Sequence, residues 1–422
     1  MPRFNGLLFD ADNHYYEGRD AFTRHVPKHM QPRCVQWVTM EDSRQYHSIA
    51  GKVDRFTNPT FNPVSKPGVL RELFRGNPNN ATSAELSRSS LEPMPPEYMD
   101  RDARIARLNA QGLEAAWLFP TLAILYEELL KKDVDAVCTL YSAFNQWLDE
   151  DWGFNYENRL FSAPYISLAS VNHACEELEK ALKKDARILV MRPSAVFTKE
   201  GPRNPGHKVF DPFWSRVNEA GITVVVHIGQ TRHDSNGYDV KNQDVLSMGA
   251  KPSVTNFHRP RNIMDFLASL VFDKLFERFP NVRIASVENG SEFLPEMLRA
   301  FEHSAERTPT YYRLHPIESF KEHVWINPFW EDDIREVIDH MGEDRVIVGS
   351  DWPHMEGLER PLDILDEIED LTLTTQQKIL HDNTVELNKR IGIRKCKVQT
   401  NERTCAPERA TRSCVNPPPQ ST

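Results

Sequence analysis

The sequence predicts an α/β fold, a (β/α)8 TIM barrel with long loop insertions at its C-terminal face. Three observations carry that expectation. Short apolar runs recur along the chain, amphipathic stretches of helical period separate most of them, and isolated ionisable residues follow the runs at their C-terminal ends. Eight strands alternating with helices favour a closed parallel barrel over an open sheet. The 422 residues are 40% hydrophobic and 27% charged, which is ordinary globular composition with enough apolar residues for a large core.

The apolar runs occupy residues 7–11, 114–119, 160–168, 187–192, 222–228, 282–287, 324–327 and 345–349. Each is short and mostly apolar, the pattern of a strand buried on both faces. Helical spacing appears first at 102–111, then at 133–150, where Val134, Val137, Leu140, Tyr141, Phe144 and Leu148 form one face. Segments 174–184, 210–220, 263–279, 291–302 and 332–341 follow, and 362–371 and 375–390 close the series.

Two segments interrupt the alternation. Residues 20–100, rich in Pro, Asn, Ser and Arg, form a weakly periodic insertion after the first strand, and 231–260 follow the fifth. In a barrel both would lie over the C-terminal face as lids or binding loops. The barrel is expected to occupy residues 1–393 and a disordered tail 394–422. The tail has no period, ends near Pro417-Pro418-Pro419, and holds six basic residues against Glu402 and Glu408. It is therefore +4, and with −10 for the whole chain the rest carries −14.

An acidic body argues against nucleic acid or an anionic membrane as partner. No apolar run is long enough to span a bilayer, and the start, Gly6-Leu7-Leu8-Phe9 before acidic residues, is too short for a signal peptide core. The expected location is cytoplasmic and the expected partner a small-molecule substrate, with homo-oligomerisation left open. Six cysteines form no C-x-x-C pair, so neither a disulfide scaffold nor a zinc motif is read from them.

The chemistry is read from strand ends. The first run closes on Asp10-Ala11-Asp12-Asn13-His14. Side chains two apart point the same way, so Asp12 and His14 offer an oxygen and an imidazole nitrogen to one divalent cation. By itself this short match also fits a polar strand end without metal. His227 follows Ile222-Thr223-Val224-Val225-Val226, where a lone histidine also fits a satisfied core residue. Asp351 follows Arg345-Val346-Ile347-Val348-Gly349-Ser350 and also fits a helix cap. Together the pattern says more. A barrel brings the ends of strands 1, 5 and 8 to one mouth, and Asp12, His14, His227 and Asp351 supply four N/O donors for one Zn²⁺ or similar ion.

At these residues the chain resembles the amidohydrolase-related enzymes of the aminocarboxymuconate-semialdehyde decarboxylase type, within the amidohydrolase superfamily. The resemblance rests on Asp10-Ala11-Asp12-Asn13-His14, Phe119-Pro120-Thr121, Asp211-Pro212-Phe213-Trp214, His227, Phe279-Pro280 and Gly349-Ser350-Asp351-Trp352-Pro353-His354. It spans residues 5–390, and the last block is its most specific piece. It implies that Asp12, His14, His227 and Asp351 bind the metal, usually zinc and sometimes manganese, and that Asp351 also handles a proton. One departure stands out. Where the family commonly has a histidine after strand 6, this chain reads Val287-Glu288-Asn289-Gly290. Glu288 is expected to act as the acid or base there, and its bland alternative is a carboxylate beside a helix starting at Ser291. Arg192 is expected to receive a substrate carboxylate, with a rim ion pair as the alternative. His354 is expected to contact substrate or to orient Asp351, and Trp330 with Phe329 to wall the site.

The expected function is hydrolysis of a small organic substrate by metal-activated water, placed first because the strand-6 histidine is missing. Non-oxidative decarboxylation of an aromatic or enoic acid is the alternative, and a catalytically inactive ligand-binding barrel the second alternative.

Overall fold

The computed structural model describes residues 4–55, 59–229 and 260–391. The tail expected at 394–422 and, apart from Pro260, the loop expected at 231–260 lie outside the described residues. Seven strands line the barrel: β1 (Leu8–Tyr15), β2 (Leu113–Pro120), β3 (Leu160–Ser162), β4 (Ile188–Met191), β5 (Thr223–His227), β6 (Arg283–Val287) and β7 (Val324–Ile326). Parallel ladders join β1 to β2 to β3, and β4 to β5 to β6 to β7. A parallel bridge between Tyr165 and Val190 connects the two sets. The eighth stave, 346–352, closes the ring: Val346 bridges Ile326 and Trp352 bridges Asn13. The fold is a TIM barrel, with strands buried on both faces because helices cover the outside and side chains fill the inside. Every residue of β1, β5 and β6 is buried.

The eighth apolar run differs from the regular strand that its sequence suggests. Ser350 and Asp351 both donate their N–H to the Asp12 carbonyl, at 3.1 and 2.8 Å, so two residues face one. The β1 register slips between Asp10 and Asn13 as well. A Cβ on Gly349 would lie 2.1 Å from the Asp12 Cβ, so only glycine lets the chain come this close to β1. The third run also shortens, to Leu160–Ser162, because Pro164 has no N–H for a ladder.

The outer helices follow their sequence signals. Asp100 caps Arg101–Gln111 by accepting from the Ala103 N–H, and Gly112 ends it in the left-handed conformation. Asp133 caps Val134–Asp151, whose buried face contains Val134, Val137, Leu140, Tyr141, Phe144 and Leu148. The expected 263–279 helix is two, Arg261–Phe272 and Leu275–Arg278, broken at Lys274 with φ 57°. The expected 375–390 helix is likewise interrupted by a π-turn at Lys378–Asp382.

The insertion carries structure of its own. Val35–Thr39, Gln45–Ile49 and Lys52–Val53 pair as an antiparallel sheet, and Ser83–Ser89 starts with a Thr82–Glu85 capping box. Weak periodicity hid a sheet only five residues deep. His47 Nδ1 meets the Tyr126 hydroxyl at 2.7 Å, and Leu70 N–H donates to the Met355 carbonyl at 3.1 Å. Tyr126 sits in the helix Ala123–Leu130 that follows β2, and Met355 in the loop after the eighth stave, which places the insertion against the C-terminal face of the barrel.

Candidate metal centre

The ends of β1, β5 and β6 and the eighth stave bring six ionisable side chains together. Asp12 and His14 stand two apart on β1, so both point inward. Val226, the residue before His227, bridges to Ser286 of β6, which sets the ends of β5 and β6 side by side. His14 Nε2 and His227 Nε2 are 3.2 Å apart. Asp12 Oδ1 lies 3.4 Å from each of these nitrogens. Glu288 Oε2 lies 3.2 Å from His227 Nε2 and 3.8 Å from His14 Nε2. One donor atom from each of Asp12, His14, His227 and Glu288 falls within 4.8 Å of the other three. Asp351 Oδ1 is 3.3 Å from His14 Nε2 and groups with His14 and His354, and again with Glu288 and Glu356.

These residues fit a divalent cation on their own chemistry. Asp12 Oδ1 is buried and has no hydrogen-bond partner, an expensive state for a carboxylate oxygen unless something positive faces it. His227 Nδ1 lies 2.8 Å from the Ile228 carbonyl, which only an N–H can satisfy. That fixes the tautomer and leaves the Nε2 lone pair aimed at the other donors. Burial, with His354 close by, holds His14 well below the usual imidazole range, so its ring is neutral as a ligand must be.

Asp10 lies beneath the site. It accepts from Ser350 N at 2.9 Å, Ser350 Oγ at 2.5 Å and Asn13 Nδ2 at 2.9 Å, and so staples β1 to the eighth stave. Burial raises its carboxyl to about 6 against these bonds. Arg104, fully buried, donates to Asn13 Oδ1 at 2.5 Å and to the His14 carbonyl at 2.8 Å. It fixes the strand end from outside. Neither supporting role shows in the local sequence, because both depend on partners far along the chain.

Asp351 sits at φ 54° and Glu288 at φ 55°, left-handed backbone that costs a non-glycine residue on the order of 1–2 kcal/mol. Asp351 Oδ1 is 2.8 Å from His354 Nδ1, and His354 Nε2 is 2.9 Å from Thr121 Oγ1. The Thr121 hydroxyl has one proton, and it donates to the Tyr15 carbonyl at 2.8 Å. Thr121 therefore accepts from His354 Nε2–H, and a single shared proton lies between His354 Nδ1 and Asp351. Burial, reinforced by Glu356 and Asp12, pushes the Asp351 carboxyl well above its ordinary range. Thr121 belongs to a recognised motif, but its place in this relay is a tertiary fact.

Three further residues named from the sequence have defined partners. Both ring nitrogens of His354 are engaged, Nδ1 by Asp351 and Nε2 by Thr121. Arg192 does not present an open fork: its Nη1 is 2.6 Å from Glu128 Oε2 and its Nε 3.3 Å from Glu127 Oε2. It lines a small cavity with Glu127, Ser167 and Phe266, and the ion-pair reading describes it. Trp330 donates Nε1–H to the Glu356 carbonyl at 3.1 Å and lies under Arg71 and Arg75, so it ties the insertion to the loop after the eighth stave.

No described helix is long and apolar enough to cross a membrane. The sequence profile of the amidohydrolase family matches residues 92–387. An amidohydrolase from Mycobacterium avium subsp. paratuberculosis K-10 superposes with a TM-score of 0.84 at 37% identity, covering 91% of this chain and 98% of that one. A dihydroxybenzoic acid decarboxylase from Polaromonas sp. JS666, solved with bound manganese and 2-nitroresorcinol, gives a TM-score of 0.56 at 16% identity over 78% of this chain and 97% of that one. At that identity the likeness speaks for the fold alone. The 2-amino-3-carboxymuconate-6-semialdehyde decarboxylase of Dictyostelium discoideum is 24% identical over 127 residues, 28% of this chain and 34% of that protein. The match thus spans about a third of that curated relative's length. The profile match over most of the chain and the closeness of the mycobacterial structure make this chain an enzyme of the amidohydrolase family.

Proposed function

We propose that this enzyme is a metal-dependent, non-oxidative decarboxylase of an aromatic or enoic carboxylic acid, with Asp12, His14 and His227 as metal donors and with Asp351, expected from the sequence as a fourth ligand but standing outside the group those three form with Glu288, as the proton donor. The observation that carries the reading is the 2.8 Å contact between Asp351 Oδ1 and His354 Nδ1, with His354 backed by Thr121 and Asp351 Oδ1 placed 3.3 Å from His14 Nε2. A divalent cation held there would supply a Lewis acid that fixes a substrate carboxylate or phenolate oxygen. As the bond from ring or alkene carbon to the carboxylate breaks, its electron pair stays on that carbon and CO₂ leaves. Asp351 gives its proton to the same carbon, and His354 keeps the aspartate turned towards it. The partial likeness to a semialdehyde decarboxylase supports this choice over hydrolysis. Zinc or manganese suits two imidazoles with carboxylate oxygens.

The test is a screen of hydroxybenzoates and muconates, beside esters and lactones, with Zn²⁺ and with Mn²⁺, read by mass spectrometry. Loss of CO₂ with uptake of one solvent deuteron in D₂O supports the reading. Addition of water to an ester or lactone, with every carboxylate left intact, would replace it with the hydrolytic one.

A further inference from the structure

We propose that Glu288 is itself a metal ligand, completing a four-donor set with Asp12, His14 and His227. This rests on the metal-dependent reading above and adds to it a ligand from strand 6. Four donors bound at about 2.0–2.1 Å in a tetrahedron stand about 3.3–3.4 Å from one another. The described contacts approach that figure. His14 Nε2 to His227 Nε2 is 3.2 Å, Asp12 Oδ1 to either nitrogen is 3.4 Å, and Glu288 Oε2 to His227 Nε2 is 3.2 Å. Glu288 Oε2 to His14 Nε2 is 3.8 Å, and all four donor atoms lie within 4.8 Å of one another. Asp12 Oδ1, buried and unpartnered, faces the same centre.

The local chain is built to hold Glu288 there. Its N–H donates to Asn327 Oδ1 at 3.3 Å, tying it to the end of β7. The next residue, Asn289, donates from Nδ2 to the carbonyls of Val226 and Val287, each at 2.9 Å, and so clamps the ends of β5 and β6. Between these ties Glu288 takes a left-handed φ of 55°. The helix-terminus alternative does not fit, because the next helix is Leu294–Arg307 and Glu288 lies outside its first turn. Two carboxylates in the set also balance the charge of a divalent cation.

The experiment measures metal affinity by chelator competition with Zn²⁺, and the visible absorption of the Co²⁺-loaded protein, in wild type, Glu288→Gln, Glu288→Ala and His227→Ala. Circular dichroism confirms folding of each. The expected result is an affinity at least tenfold weaker in both Glu288 variants, with an altered Co²⁺ band shape. The isosteric glutamine variant keeps the test open should the alanine variant fail to fold. Wild-type affinity and an unchanged Co²⁺ spectrum in Glu288→Gln and Glu288→Ala, with binding lost in His227→Ala, would overturn the role of Glu288 alone. A wild-type protein that binds neither ion would overturn the metal-dependent reading itself.

Discussion

Two groups of strand ends at the same mouth of the barrel handle buried charge in opposite ways. At the end of β4, Arg192 is enclosed: Glu127 and Glu128 hold its guanidinium, Tyr165 and Ser167 donate to Glu127 at 2.6 Å each, and Lys131 adds a second cation to Glu128 at 2.6 Å. At the ends of β1, β5 and β6, donors face one another and leave Asp12 Oδ1 with no hydrogen-bond partner, 3.4 Å from each imidazole. A closed network contributes rigidity and loses stability when a member is removed. An open one is incomplete until something enters it. Charge alone therefore does not mark the site; unsatisfied, convergent polar atoms do.

The comparison breaks most visibly at His227. Replacing it with alanine should remove the bound metal and lower turnover by more than about a thousandfold, with the melting temperature of the metal-free protein little changed. A variant that keeps its metal, measured by elemental analysis, would mean the donors are assigned wrongly. Asp351→Asn is the next step down. Asparagine keeps the shape but has no acidic proton, so kcat should fall about 10²–10⁴-fold while circular dichroism shows the fold intact. Full turnover in that variant would take Asp351 out of the proton step.

Arg192 should behave in the reverse sense. Arg192→Met takes the Arg192 cation from buried Glu127 and leaves Glu128 with Lys131, and should cost about 3–5 kcal/mol of stability in denaturant unfolding, with metal content unchanged. Loss of metal without loss of stability would join Arg192 to the centre after all.

Glu17 stands between the two regimes. Its Oε1 accepts the Leu122 and Ala123 N–H groups at 2.8 and 2.9 Å, while its buried Oε2 has no hydrogen-bond partner. Burial raises its carboxyl from 4.5 to about 7. A raised folded-state value means its contribution is fully present below pH 4.5, fades as pH rises, and is lost above about 7. Glu17→Gln keeps the acceptor and cannot ionise. Its stability relative to wild type should therefore rise by about 1.4 kcal/mol per pH unit across that window, to a total of about 3 kcal/mol. Parallel stability–pH curves for the two proteins would show that Glu17 ionises freely.

Much of this protein is written locally. Strand positions follow from β-branched apolar runs such as Thr223-Val224-Val225-Val226, and helix starts from Asp100 and Asp133, because periodicity and capping involve residues within a turn of one another. The inward pair Asp12 and His14 and the end-of-strand His227 follow from the same short-range geometry. Tertiary structure decided what those groups meet. Arg192 faces substrate or glutamate according to residues 64 positions away in the chain, and His354 is engaged at both nitrogens through Thr121, 233 positions away. Glu288 joins the histidines only because β6 lies in register beside β5. The insertion, read from its composition as a loop, became a sheet because the barrel face gave its short strands a surface to bury against. A sequence specifies which atoms a strand end presents. Whether those atoms are neutralised or left open depends on distances that exist only once the ring has closed.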